Sequence, residues 1–168
     1  GNEYSGVDNV TIEVQKEVII KSEVDKTIRP DEETGEGYAV TNVSTNGGVI
    51  NVIGETVTLS SDNKAAVRVG FVDGENEYNG VVNITGNTIN LDGYAVEDND
   101  GDEVREYEAA VVFAQGAGTL NLTATNGITI IDKSSVGGNA VAAYDGGNVN
   151  IKNATNVAFD SKVYATGE

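Results

Sequence analysis

The run Asp98-Asn99-Asp100-Gly101-Asp102-Glu103 holds the residues whose types and spacing point most directly to chemistry. Carboxylates and amides set close around a glycine are hard oxygen ligands of the kind Ca²⁺ takes, and the glycine lets the backbone wrap the ion. Asp98, Asp100 and Asp102 are the candidate Ca²⁺ ligands. The spacing departs from an EF-hand loop: with Gly101 at position six, position one falls on Val96 and position twelve on Tyr107. The competing expectation is a solvated acidic run that only keeps the surface soluble. Tyr94 and Tyr107 bracket the run, and an exposed tyrosine ring can stack on a sugar, although most tyrosines only pack. The candidate binding residues are therefore Tyr94, Asp98, Asp100, Asp102, Glu103 and Tyr107.

Other chemistries are restricted by what the chain lacks. It has no His and no Cys. That removes Ser-His and Cys-His nucleophiles, the usual zinc ligands, and any disulfide framework. Two carboxylate chemistries remain as an alternative reading: glycoside hydrolysis by an acid pair, and Ca²⁺-assisted elimination of uronates. Acidic residues are too abundant for one pair to stand out. Only Arg105, Arg29 or Arg68 could act as the base beside them, and negative loops would repel a polyuronate. The expectation is a protein without catalytic activity. The formal net charge of −17 argues against nucleic acid and anionic lipid as partners. No apolar run is long enough to span a membrane. With neither a first Met nor any other, the chain is expected to be a segment of a longer secreted protein.

These residues need a scaffold, and the scaffold is written as a repeat. The first motif alternates apolar and polar: Val10-Thr11-Ile12, Ile50-Asn51-Val52, Val82-Asn83-Ile84, Leu120-Asn121-Leu122 and Val149-Asn150-Ile151. A second triplet follows seven or eight residues later: Val18-Ile19-Ile20, Val57-Thr58-Leu59, Ile89-Asn90-Leu91, Ile128-Thr129-Ile130 and Val157-Ala158-Phe159. A third run comes next at Ala39-Val40, Ala66-Val67, Ala110-Val111 and Ala140-Val141, with a degenerate copy near Val163-Tyr164-Ala165. Period-two alternation puts the apolar residues of a triplet on one face, and stacked copies would bury that face continuously. Glycines such as Gly86, Gly93 and Gly116 supply tight backbone at the corners. The expected fold is all-β: one domain over residues 1–168, a right-handed parallel β-helix of about five rungs of three short strands. An antiparallel sandwich or barrel is the rival. It gives no reason for three parts to recur in fixed order.

Two long insertions fall between the second and third parts, at Ser22–Gly37 and Asp92–Glu108. They hold six and eight of the chain's 27 acidic residues. They are expected to leave one seam of the coil, two rungs and about 10 Å apart, and solenoid insertions often mark the binding face. A smaller acidic loop, Asp73–Gly80, is expected at another corner. Asn51, Asn83, Asn121 and Asn150 should point outward and stack as an amide ladder.

The rungs GVINVIGETVTL, GVVNITGNTINL, GTLNLTATNGITI and GNVNIKNATNVAF resemble passenger-domain sequence of bacterial autotransporters, and are similar to haemagglutinin-like surface adhesins. The resemblance covers essentially the whole chain. It implies secretion across the outer membrane, display at the bacterial cell surface, and adhesion to a host-cell, matrix or bacterial surface protein or glycan. It carries no catalytic motif onto positions of this chain.

Overall fold

Triplets with alternating apolar side chains cannot remain single in water, and each pairs with its counterpart in the next repeat. The computed structural model describes residues 9–22, 38–43, 47–62, 64–73, 76–95, 110–134 and 138–165. The first repeat contributes β1 (Asn9–Glu13), β2 (Glu17–Ser22) and β3 (Val40–Asn42), and the second β4 (Val49–Ile53), β5 (Thr56–Ser61) and β6 (Val67–Val69). A hairpin, β7 (Phe71–Asp73) and β8 (Asn76–Tyr78), follows. The third repeat is β9 (Gly80–Gly93) and β10 (Ala110–Gln115), and the fourth β11 (Gly118–Asp132) and β12 (Asn139–Tyr144). The fifth is β13 (Asn148–Lys152), β14 (Asn156–Phe159) and β15 (Lys162–Ala165). No helix forms among the described residues.

All pairings between repeats are parallel. One sheet joins β1, β4, β9, β11 and β13 in that order, with β2, β5 and β14 continuing it beyond the corner, and a second sheet runs β3-β6-β10-β12-β15. The chain thus visits the same strand positions once per repeat, an arrangement compatible with a β-solenoid. In the third and fourth repeats the first two expected strands merge into one long bent strand, β9 and β11. Register slips by one position between Ala124 and Gly127, where β11 carries a bulge against β9. There the fourth repeat absorbs the extra residue that makes its triplet gap eight rather than seven.

The files of apolar side chains follow the expected register. Ile12, Val52, Ile84, Leu122 and Ile151 lie over one another. So do Ile20, Leu59, Leu91, Ile130 and Phe159. Apart from Ile12, which is exposed, these residues pack with Val67, Val69, Val112 and Val141 from the second sheet into one core. In the third column the structure corrects one pairing: Val112, not Val111, lies opposite both Val67 and Val141. The Ala110-Val111-Val112-Phe113-Ala114 run is apolar throughout and buried on both faces, so alternation could not mark its register.

The second correction concerns Asp73–Gly80, expected as a smaller acidic loop. Part of it forms the antiparallel hairpin β7–β8, with Phe71 opposite Tyr78. Gly70 opens that hairpin at φ +73°, and a Cβ there would collide with the carbonyl oxygen of Gln115. Only glycine tolerates both the backbone angle and the approach.

Candidate functional site

The seam between the second and third columns is where the expected binding residues belong. The structure places Tyr94 there, half-buried at the end of β9. Asp98, Asp100, Asp102, Glu103 and Tyr107 lie outside the described residues, as do the Ca²⁺ reading and most of both long insertions. Their points of departure are described. Ser22 pairs with Ser61 at the end of the second column, and Ser60 of the same strand pairs with Asp92. The chain therefore leaves the sheet at one edge in the first repeat, next to Ser22, and again in the third, next to Gly93.

That edge is held by backbone hydrogen bonds and by carboxylates, of which Asp132 makes the most bonds. Gly93 sits so close to the next strand that a Cβ would fall 2.7 Å from the Ala66 nitrogen and 2.9 Å from the Lys64 oxygen. The Tyr94 amide donates to the Lys64 carbonyl at 2.9 Å. The Ala95 amide donates to Asp132 Oδ1 at 3.0 Å. The same Oδ1 accepts from the Ser134 amide at 2.9 Å and the Ser134 hydroxyl at 2.6 Å, and Oδ2 accepts from the Gly138 amide at 2.9 Å. One side chain thus ties the third repeat, at Ala95, to the corner of the fourth. Burial pushes the Asp132 carboxyl up, but the Ser134 hydroxyl and the amides of Ala95, Ser134 and Gly138 outweigh it and hold the group below its ordinary value. The Asp132 amide in turn donates to the Asp160 carboxylate at 3.0 Å, carrying the linkage into the fifth repeat. Lys133 Nζ lies 3.5 Å from the Asp92 carboxylate at the same edge.

Two further side-chain arrays run along the stack away from the seam. On the first sheet the expected amide ladder is present. Asn83 Nδ2 donates to Asn51 Oδ1 at 2.9 Å, Asn121 to Asn83 at 2.8 Å, and Asn150 to Asn121 at 3.0 Å. Asn51 donates to the Thr11 hydroxyl at 3.1 Å. Every bond points the same way along the stack.

The outward face of the second sheet carries an aromatic row that the repeat reading did not single out. Phe113 stacks on Tyr144 at 5.8 Å and meets Tyr38 edge-on at 6.3 Å. The Arg68 guanidinium lies 4.6 Å from the Phe71 ring centroid and 5.4 Å from that of Tyr38, a cation–π arrangement in a largely buried setting. The sequence signal was present: Arg68 and Phe113 occupy paired outward positions, and an apolar outward position in a third strand implies cover on both faces.

Chemically, the described seam offers backbone groups, carboxylates and the ammonium groups of Lys21, Lys64 and Lys133 on one edge. Among the described residues no group of three or more Asp or Glu could hold a metal ion. Comparison with protein-family models, with curated proteins and with solved structures gives no match.

Proposed function

We propose that this chain is a non-catalytic binding segment of a bacterial surface adhesin of the autotransporter-passenger type. Its rungs form a right-handed parallel β-helix that carries the Ser22–Gly37 and Asp92–Glu108 segments as its contact surface. The observation that carries this reading is the seam: the two longest breaks in the repeat depart from the same edge, in the first and third repeats, while the core files pass beneath them in register. A stack whose two longest excursions leave from one side presents that side. Right-handedness follows from the strong preference for right-handed crossovers between parallel strands of one sheet. The partner is a protein or glycan of a host cell, matrix or neighbouring bacterium, met by many weak contacts along a stiff surface.

The test is deletion of Glu97–Glu106 in the full chain, with binding to cells and matrix measured beside circular dichroism. The reading requires lost binding with an unchanged spectrum. Retained binding refutes the assignment of the seam. Turnover in a screen of neutral and acidic polysaccharides, with and without Ca²⁺, refutes the non-catalytic reading.

A further inference from the structure

Where β9 and β11 reach the seam, four side chains of different chemistry meet on the outward face of the first sheet. Asp92 and Tyr94 alternate with Gly93 and Ala95, which are buried. Ile131 lies opposite Asp92 on the neighbouring strand. Lys133 is one position beyond the Gly93–Asp132 pair and donates its amide to the Gly93 carbonyl at 2.7 Å, which sets it beside Tyr94. Neighbouring rungs stand about 4.8 Å apart, and alternate residues of one strand about 6.6 Å. An aromatic ring, an aliphatic side chain, a carboxylate and an ammonium thus share roughly the footprint of one pyranose ring.

We propose that this patch is a carbohydrate subsite that takes an uncharged pyranose. The proposal deepens the seam reading and rests on it. Tyr94 supplies the stacking surface. It is half-buried, and among the described residues its hydroxyl makes no hydrogen bond and its ring no ring contact. Its backbone, in contrast, is fixed. The Tyr94 amide donates to the Lys64 carbonyl at 2.9 Å, and the next amide, of Ala95, to Asp132 Oδ1 at 3.0 Å. A ring held out from fixed backbone loses little freedom when a ligand stacks on it. The carbon-bound hydrogens on one face of a pyranose form the complementary surface.

Asp92 and Lys133 supply the polar half. Their charged ends lie 3.5 Å apart, with the side chains 30% and 34% exposed. A pair so placed adds little to stability. A carboxylate only accepts and an ammonium only donates, whereas a sugar hydroxyl does both. Adjacent hydroxyls of one ring therefore satisfy the two ends with charge-assisted bonds. Ile131, 40% exposed, keeps the remaining side of the patch apolar. Charge selects the class of sugar. Asp92 and Lys133 cancel, so no unmatched cation in the patch awaits an anion, and the net charge of −17 repels carboxylated or sulfated chains.

The test uses the whole chain, with the methyl pyranosides of glucose, galactose, mannose and N-acetylglucosamine as probes. Saturation-transfer NMR should show at least one bound, at about the 1 mM affinity of a single ring on an open surface. Tyr94→Ala should weaken it at least about fivefold, and Tyr94→Phe, which keeps the stacking face, less than about twofold. Lys133→Gln should weaken it about three- to tenfold. Methyl glucuronide should bind more weakly than methyl glucoside. Circular dichroism checks that each variant is folded. Should Tyr94→Ala not fold, the exposed Lys133→Gln carries the same requirement. No bound pyranoside, or binding indifferent to both variants, overturns the proposal. A glucuronide preferred to the glucoside overturns the uncharged class. Cell binding lost on deleting Glu97–Glu106 but kept in Tyr94→Ala overturns the subsite and leaves the seam reading standing. Cell binding lost in Tyr94→Ala with no pyranoside bound overturns it in favour of a protein partner. Pyranoside binding kept in a deletion variant that still binds cells supports the subsite and removes the role given to the long segment.

Discussion

Truncating Ile84 to alanine, and comparing the loss with the same truncation at Ile12, measures how far the core depends on stacking. Both residues belong to one file, with Val52 between them. Ile84 is fully buried, as are Val52 and Leu122 on either side of it. Parallel backbone bonds fix the spacing of the rungs at about 4.8 Å, so the site cannot collapse onto the missing atoms. The transfer and cavity terms therefore both apply, and the expected cost is about 4 kcal/mol, in the upper part of the range for Ile→Ala. Ile12 is 36% exposed. Three carbons at about 0.8 kcal/mol each, reduced by roughly a third for exposure, give about 1.6 kcal/mol. A void at the end of the stack opens to water and adds little. Urea titrations followed by circular dichroism should place the two variants more than about 2 kcal/mol apart. Equal losses, or a loss below about 1 kcal/mol at Ile84, would show that the rungs do not share a continuous interior.

Two further outcomes follow from the ladder and the seam. Asn121 both donates to Asn83 and accepts from Asn150, so Asn121→Ala should cost about 1–2 kcal/mol in the same titration, and more than Asn150→Ala, which removes one bond. The Asp132 carboxyl is depressed in the folded protein, so its contribution is complete above the unfolded carboxylate range and is lost as pH falls through the lower, folded value. Asp132→Asn should therefore lower thermal stability at neutral pH and flatten that part of the acid-side decline. A variant that declines in acid as steeply as the parent would remove Asp132 from the account.

The first two columns were legible residue by residue, because Val-Asn-Ile and Ile-Asn-Leu alternate polar and apolar positions and their gap changes by only one residue. The third column was legible in outline alone. Its strands are covered on both sides, by the core and by the row of Phe113, Tyr144 and Tyr38, so alternation fades where register most needs it. The hairpin Phe71–Tyr78 was hidden by composition: Glu77 and its acidic neighbours suggested a solvated turn, while Phe71, Val72 and Tyr78 carried the strand signal. Tyr94 stands out in the sequence by its place beside an acidic run. Asp132 does not, because its hydrogen bonds reach an amide 37 residues away and the backbone of Ser134 and Gly138. Asp-Lys-Ser held only the local hint that an aspartate bonds a backbone two residues on.

Why the chain can vary so much at this one edge is a matter of magnitudes. Five residues separate β5 from β6, sixteen separate β9 from β10, and seventeen separate β2 from β3. Joining two fixed points by about three times as many residues costs only about 1 kcal/mol more in closure entropy. One buried isoleucine of the core outweighs that. Length at the seam is thus nearly free, whereas one residue added within the first sheet had to be accommodated by the bulge between Ala124 and Gly127. The rigid part must then end sharply at the departure point, or a long excursion would pull the sheet apart. Asp132 does this at Ala95, the last described residue before residues 96–109. Added length is therefore cheap on the far side of that hydrogen bond and costly on the near side, where each residue has a fixed partner in the next repeat.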